Sequence, residues 1–226
     1  MNGLPVIFQD QSLVALASGA LWWPSERTLV VSDLHLGKAE RMVRRGGPML
    51  PPYEIAETLD RLVGECEATG AKRVICLGDS FDDLAAAEAT AEAVAARLSP
   101  AMAGRHWVWI EGNHDPGPVA LGGDHLGELR IGPLNFRHIA GQGAQGEISG
   151  HYHPKAQVVA RGRTLSRPCF LMDSARMILP AFGTYTGGLR STDPTLSGLM
   201  DLDATAILLA RPPVRIPMPR AGTGPA

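Results

Sequence analysis

The sequence predicts an α/β fold in which a second β-sheet packs on a first one. In the first half of the chain, short apolar runs typical of buried strands alternate with two long helical patterns. From Leu129 to Pro217, short strands and turns dominate instead, as expected for a second sheet. Polar side chains of the types that bind metal ions follow several strand runs, and open α/β sheets place their functional sites at such strand ends.

The predicted strands are short runs separated by turn residues. They are Val6–Phe8, Leu13–Leu16, Ala20–Trp23, Thr28–Ser32, Arg73–Leu77, His106–Ile110 and Glu147–Ser149. Two helices are predicted between them. Tyr53–Ala68 should be an amphipathic helix, because its apolar residues recur at helical spacing, and Gly70 should end it. Leu84–Leu98 is rich in Ala and predicts a second helix, which we expect Pro100 to stop.

The composition agrees with a soluble enzyme. The chain has 226 residues, 45% of them hydrophobic, which is enough for one sizeable core or two small ones. The net charge is −2 and the pI about 6.4, so the chain has no overall positive charge that would indicate nucleic acid binding. Its three scattered cysteines are interpreted as reduced thiols of a cytoplasmic protein.

No targeting or membrane segment is evident in the sequence. Met1–Asp10 lacks the basic and long apolar stretches of a signal peptide, and no run approaches the length of a membrane span. We therefore expect a cytoplasmic location and no membrane partner. Residues 1–218 are predicted to form one domain, and the small, polar residues 219–226 a flexible tail. The sequence leaves the oligomeric state open.

Five clusters of metal-ligand residues, in one order along the chain, are its most informative feature. The candidate ligands are Asp33, His35, Asp79, Asn113, His138, His151 and His153. This mix of carboxylate or amide oxygen and imidazole nitrogen suits Mn²⁺, Fe or Zn²⁺ better than Ca²⁺, and it lacks the thiolates of a structural zinc site. Seven side chains are too many for one tetrahedral ion, but they suit two ions that share a carboxylate.

The spacing of these residues has a physical reason. Residues i and i+2 of a strand point to the same face, so Asp33 and His35 can reach one ion as the chain leaves its strand. The same reasoning holds for His151 and His153. A lone histidine such as His138 is weak on its own, and only its place among the other four clusters indicates a ligand.

The order of these motifs resembles the calcineurin-like binuclear metallophosphoesterases. The matching motifs are Asp-x-His, Gly-Asp-x-x-Asp, Gly-Asn-His-Asp, His and Gly-His-x-His, from Asp33 to His153. A narrower resemblance is to the bacterial ligase-associated DNA damage response endonucleases of this superfamily (PdeM). It rests on the segments Ser32–Glu40, Leu50–Glu54, Gly150–Ala156, Ser166–Phe170 and Leu179–Gly188.

The resemblance implies a fold and a set of roles. The fold is a β-sandwich of two mixed sheets flanked by helices (αββα). Asp79 would bridge two divalent ions, foremost Mn²⁺ with Fe or Zn²⁺ as alternatives, and a water between the ions would lose a proton and attack phosphorus. The first site would comprise Asp33, His35 and His153, and the second Asn113, His138 and His151. His114 would contact the phosphoryl oxygens, and Asp115 would orient its ring.

One position departs from the repair-nuclease pattern, in which a His after Gly-Asp-x-Phe can protonate the leaving sugar oxygen. This chain has Asp82 there. An Asp ionised at neutral pH is a poor proton donor unless burial raises its pKa, so a catalytic Asp82 predicts better cleavage of activated esters than of DNA. The competing interpretation is that Asp82 orients a ligand such as His35.

A basic cluster follows the first motif: Lys38, Arg41, Arg44 and Arg45. Such a run is usually a solvated helix face or loop. Because the cluster directly follows a strand that carries candidate metal ligands, its side chains are also candidates for binding a substrate phosphate.

Three functions follow from these observations. The leading one is a phosphodiesterase that nicks DNA during repair, with DNA as substrate and, by resemblance, DNA ligase and helicase repair proteins as partners. The alternative is a phosphodiesterase or phosphatase acting on small nucleotides or phosphorylated metabolites. A non-catalytic scaffold would predict missing ligands, and none is missing from the motifs.

Overall fold

The computed structural model describes residues 2–51, 53–115, 121–160 and 162–221. Its first sheet has seven strands within these ranges, in spatial order β1 to β7: Gly3–Phe8, Gln11–Leu16, Leu21–Trp23, Thr28–Val31, Arg73–Leu77, His106–Ile110 and Asp124–Leu126. Neighbouring strands from β1 to β4 pair in antiparallel fashion, and neighbouring strands from β4 to β7 pair in parallel fashion. The first sheet is therefore mixed.

The second sheet has eight strands in the described ranges. In chain order, β8 to β15 are Glu128–Ile131, Leu134–Arg137, Glu147–Ser149, Lys155–Ala160, Arg163–Met172, Arg176–Ile178, Thr205–Leu208 and Val214–Pro217. Their spatial order is β15-β14-β12-β13-β10-β9-β8, with β11 paired to β12. Strand β10 runs parallel to both β9 and β13, while the other pairs are antiparallel.

Four helices are described: α1 Lys38–Arg44, α2 Glu54–Thr69, α3 Leu84–Met102 and α4 Pro194–Leu199. The sequence left the basic cluster open as a helix face or a loop. Its residues Lys38, Arg41 and Arg44 lie in α1, which buries none of its side chains, and Arg45 is the C-cap residue. Gly70 ends α2 as predicted, with a left-handed φ of 62°. Among the described residues, no helix combines the length and the apolar character needed to cross a membrane.

The expected stop of the second long helix at Pro100 is wrong. Helix α3 continues through Pro100 to Met102. A proline costs most in a helix interior, whereas here it lies in the last turn, where its fixed φ still fits the helix. Ala101 is buried and Met102 packs against the core, so packing favours one further half-turn.

Apolar packing joins the elements into four layers. The inner faces of the two sheets meet in one cluster, in which Val30, Ile75 and Val108 of the first sheet lie with Phe136 and Ile148 of the second. Helices α2 and α3 cover the outer face of the first sheet, and α4 covers that of the second. This arrangement confirms the predicted αββα sandwich of two mixed sheets.

The C-terminal segment contacts the second sheet's helix. The Oγ of Ser191 donates to the backbone oxygen of Pro219, and Arg220 donates to the backbone oxygens of Ser197 and Met200 in and after α4. The rest of the predicted tail, residues 222–226, lies outside the described residues.

Candidate metal centre

The parallel strands of both sheets end at one edge of the sandwich, and the candidate ligands lie in the loops that follow them. The loops after β4, β5 and β6 carry the ligands of the first half, and those after β9 and β10 the rest: Asp33, His35, Asp79, Asn113, His138, His151 and His153. A backbone N–H in a loop of the second sheet bonds a side chain in a loop of the first, since the N–H of His151 donates to Oδ2 of Asp33 at 2.9 Å. The structure therefore brings all the candidate ligands to one place.

The local backbone that aims these side chains is left-handed. Five of the candidate ligands have positive φ values, between 45° and 70°: Asp33, His35, Asp79, His151 and His153. Each lies past the end of its strand, so the strand-period explanation for the paired residues is wrong. Left-handed conformations of residues other than glycine are uncommon and cluster at functional sites.

Two glycines make room for this packing. A Cβ on Gly112 would collide with the backbone nitrogen and Oδ1 of Asp79, and one on Gly150 would collide with Oγ of Ser32. Glycine is thus required at both positions because the loops from different strands approach each other this closely.

One group of donor atoms is formed by Asp33, His35 and His153. Oδ1 of Asp33 lies 3.2 Å from Nε2 of His153, which in turn lies 3.3 Å from Nε2 of His35. Asp33 is fully buried, and its Oδ1 accepts no hydrogen bond from the part of the chain that the structure describes, while Oδ2 accepts from the Ser32 hydroxyl at 2.5 Å. A buried carboxylate oxygen without a donor, beside two imidazole nitrogens, is the arrangement a cation satisfies.

The second group centres on His138. Its Nε2 lies 3.0 Å from Oδ1 of Asn113, 3.2 Å from Nδ1 of His151 and 3.4 Å from Oδ2 of Asp79. Nδ1 of His138 bonds the backbone oxygen of Leu77 at 2.8 Å, which directs Nε2 to this group. Ligands bonded to one ion at about 2.1 Å lie about 3.0–3.4 Å apart, so these spacings fit a coordination shell.

Asp79 stands between the two groups. Its Oδ2 lies 3.4 Å from Nε2 of His138 and 3.9 Å from Nε2 of His35, while its Oδ1 accepts from the backbone N–H of His114 at 2.9 Å. The described side chains thus fit two divalent ions that share one carboxylate.

The carboxylates of Asp79 and Asp33 are both held ionised at neutral pH. Burial alone would raise the pKa of Asp79, but its bond to the His138 ring and neighbouring charges outweigh burial and lower that pKa to about 2. Burial would likewise raise the pKa of Asp33, and His153 with its neighbours lowers it instead. Ionised oxygen ligands are the form that binds a cation.

His114 and Asp115 lie at the rim and floor of the centre. The His114 side chain is 29% exposed, with Nε2 4.0 Å from Oδ2 of Asp79. Its Nδ1 bonds the backbone oxygen of Asp82 at 2.7 Å. The Asp115 carboxylate instead accepts from the backbone N–H groups of Ser80 and Phe81. The expected orientation of the His114 ring by Asp115 is therefore wrong, because Asp115 secures the loop that carries Asp79.

The carboxylate of Asp82 accepts hydrogen bonds from two side chains. Its Oδ1 lies 2.9 Å from Nδ1 of His35, and its Oδ2 accepts from Nη1 of Arg41 at 2.7 Å. Burial alone would raise the pKa of Asp82, but the bonds from His35 and Arg41 lower it far below its usual value. The ammonium group of Lys38 is a second cation near Asp82, 4.0 Å from Oδ1. This geometry suits a carboxylate that orients His35 better than one that gives up a proton.

Arg44 at the end of α1 and Arg45 at its C-cap also have acidic partners. Arg44 donates to Glu40 at 3.0 Å and to Asp83 at 2.7 Å. Nη2 of Arg45 lies 3.7 Å from the same Asp83, and the Arg45 side chain is 62% exposed. Sequence reasoning missed Asp83 and the Arg41–Asp82 pair, because no spacing signal links a helix to the loop after another strand.

The four-layer fold and the paired donor groups define a metal-dependent hydrolase. The model of the calcineurin-like phosphoesterase family matches residues 26–165, well over half of the chain, so the chain belongs to this family and is a phosphoesterase. A solved structure similar to it is the nuclease MPE of Pseudomonas putida, with 30% sequence identity and a TM-score of 0.74. The match covers 94% of this chain and 100% of the nuclease. A comparison with curated proteins gives no match.

Proposed function

We propose that the chain is a binuclear phosphodiesterase that cleaves DNA within a strand, with Mn²⁺ as the foremost metal. The observation that carries this proposal is Oδ2 of Asp79, which lies within 4 Å of donor nitrogens from both groups. The similarity to a nuclease across nearly the whole chain supports a nucleic acid substrate. A repair role, with DNA ligase and helicase proteins as partners in the cytoplasm, is proposed on the family resemblance.

The two ions would be held by Asp33, His35, Asp79 and His153 on one side and by Asp79, Asn113, His138 and His151 on the other. When bound, such a pair polarises the phosphate and supplies a water acidic enough to act as nucleophile near neutral pH.

Residues around the metal centre orient its histidines and contact the substrate. Asp82 accepts the Nδ1–H of His35, which fixes the tautomer and leaves the lone pair of Nε2 for the centre. The backbone oxygen of Asp82 accepts the Nδ1–H of His114 in the same way. With Nε2 beside Asp79 and its ring partly exposed, His114 is placed to contact a phosphoryl oxygen or the leaving oxygen of the substrate.

A second candidate function is hydrolysis of small nucleotides or phosphorylated metabolites. One observation favours it: the basic residues of α1 are matched by Asp82, Asp83 and Glu40, so α1 offers little free positive charge to a long DNA backbone. Polymer binding depends on such charge, whereas one phosphate at the metal centre does not.

Both functions are tested in one experiment. The purified chain is loaded with Mn²⁺ and offered single-stranded DNA, duplex DNA, a mononucleotide and bis(p-nitrophenyl) phosphate. Asp79→Ala should abolish every activity, while the matched surface variant Asp203→Ala should retain them. Internal cleavage of DNA supports the leading function, and turnover confined to the small substrates supports the second. Full activity of Asp79→Ala would refute both.

A further inference from the structure

The loop after β13 runs between the two loops that carry the first group of donor atoms. The N–H of Gly183 donates to the backbone oxygen of Asp33 at 3.0 Å. Further along the loop, a Cβ on Gly188 would collide with the backbone oxygen of His153. Residues 183–188, which we call the 183–188 loop, are therefore packed against both Asp33 and His153, beside the candidate metal centre.

Tyr185 is the exposed aromatic residue of the 183–188 loop. Its φ of 63° lies in the left-handed region, where a bulky residue is an outlier. Tyr185 is 39% exposed, and within the described residues its hydroxyl group has no hydrogen bond and its ring has no aromatic partner. Strained conformations that the surrounding structure holds in place cluster at functional sites, and both ends of this loop are fixed. The Tyr185 ring is therefore a candidate contact for the substrate.

A cation without an acidic partner lies next to Tyr185. Nζ of Lys155 donates to the backbone oxygen of Thr186, the following residue, at 3.3 Å. Lys155 is half-buried, lies two residues after His153 and forms no ion pair with the described residues. The backbone of Arg190 pairs with that of Lys155, and the exposed Arg190 likewise has no ion pair among them. An ammonium group has three N–H donors, so Lys155 can still donate to a phosphate oxygen.

Positive charge is in excess in this part of the chain when both signs are counted. From Glu147 to Asp193 the sequence has six Lys or Arg residues and three acids. Glu147 lies 3.7 Å from each of two arginines, and Asp173 and Asp193 accept hydrogen bonds from backbone N–H groups. Helix α1 differs, because acidic side chains partner its basic residues. The segment around Lys155 therefore offers a phosphate backbone the positive charge that α1 does not.

We propose that Tyr185 and Lys155 form a nucleotide subsite beside the metal centre. The Tyr185 ring stacks on a base of a single strand, and the Lys155 ammonium contacts a phosphate next to that base. The inference rests on the proposed function, since it places a neighbouring phosphate of the same strand at the metals. Every base has a π-face, so such stacking tolerates any sequence. Bases of a duplex are already stacked on one another, so the subsite favours single-stranded DNA.

The first arm of the test measures strand binding to the metal-loaded full chain by fluorescence anisotropy. The probes are a phosphorothioate oligothymidylate, which resists hydrolysis, and a phosphorothioate strand of abasic units with the same length and charge. Tyr185→Ala should weaken binding of the oligothymidylate about 10-fold, the size of one base–aromatic contact, and leave binding of the abasic strand unchanged. Tyr185→Leu, which keeps apolar bulk without the ring, should match Tyr185→Ala. Tyr185→Phe is the matched control and should bind both strands like the wild type.

The second arm tests the phosphate contact. Lys155→Gln should flatten the salt dependence of binding by about 0.7 units on both strands, because the abasic strand keeps its phosphates. Arg130→Gln is the matched control, since Arg130 is an exposed cation on β8, at the far edge of the second sheet, and it should leave the slope unchanged.

Equal weakening of both strands in Tyr185→Ala and Tyr185→Leu, or no weakening in either variant, would overturn the base contact. An unchanged slope in Lys155→Gln would overturn the phosphate contact. If the wild type hydrolyses neither DNA nor bis(p-nitrophenyl) phosphate, the proposed function fails instead, and the comparison of the two uncleaved strands remains readable.

Discussion

Replacing Asp82 by Asn is expected to lower metal content and all activities together. The carboxylate accepts from His35 at 2.9 Å and from Arg41 at 2.7 Å, and its side chain is only 2% exposed. The amide of Asn keeps one oxygen for one of these donors and adds an N–H where an acceptor is needed. His35 then loses the partner that fixes its tautomer, and Arg41 loses its closest acceptor.

The size of the effect follows from these contacts. A hydrogen bond to a charged group is worth about 1.5–3 kcal/mol, and because the Arg41 side chain is 23% exposed, water recovers part of its loss. A destabilisation of about 2 kcal/mol corresponds to a melting temperature lower by about 4–8 °C for a chain of this length. Loss of a partner that orients a metal ligand costs about 10–100-fold in metal affinity or activity.

The assay measures bound metal per chain at limiting Mn²⁺, the melting temperature, and turnover of single-stranded DNA and of bis(p-nitrophenyl) phosphate. Asp83→Asn is the matched control, because it removes the neighbouring charge while Asn still caps α3, where Asp83 accepts from Ala86. The reasoning is refuted if Asp82→Asn keeps its metal and its ester turnover but loses DNA cleavage. Raised DNA cleavage relative to ester hydrolysis in Asp82→His would likewise restore the leaving-group role.

Three further predictions concern other residues of the site. Asp79→Ala should lose most bound metal, since one of its oxygens serves both donor groups, and elemental analysis that finds two ions per chain would contradict this. His114→Ala should keep both ions but lower turnover by about 10²-fold or more; near-normal turnover would leave His114 a structural role. Replacing Arg44 and Arg45 together by Ala should flatten the salt dependence of single-strand binding by less than the roughly 1.4 units of two free contacts, because Asp83 already partners both. A full 1.4-unit change would show that DNA displaces Asp83, and ester turnover should stay constant in either case.

Sequence patterns were sufficient to predict the layers of the fold. Apolar runs located the strands to within a few residues, and the runs Arg73–Leu77, His106–Ile110 and Glu147–Ser149 have the predicted bounds. The helix limits depended on packing as well as on local signals. Gly70 ends α2 because a left-handed glycine is a local stop, whereas Pro100 fails to end α3 because the next residues pack on the core.

The partnerships within the site could not be predicted in the same way. Motif order indicated which residues meet, but not that Asp82 would bond Arg41, which lies 41 positions away along the chain. Nor could it indicate that Asp115 bonds the loop after β5 rather than the ring of His114. Such contacts depend on where two loops pass each other in space, and residue spacing carries no information about that.

The left-handed backbone of the candidate ligands connects the fold to the chemistry. Asp and His enter this region more readily than most residues with a Cβ, yet each such residue still costs free energy. Here the loops restrain one another, since the N–H of His35 donates to the backbone oxygen of Asp79 at 2.9 Å and that of Asp33 to Gly78 at 3.3 Å. Cations bound by the converging oxygens and nitrogens would add to the same restraint, because ligands of the native state stabilise it by mass action. Backbone strain is therefore expected at the candidate ligands, because their side chains need a fixed direction to bind a metal ion.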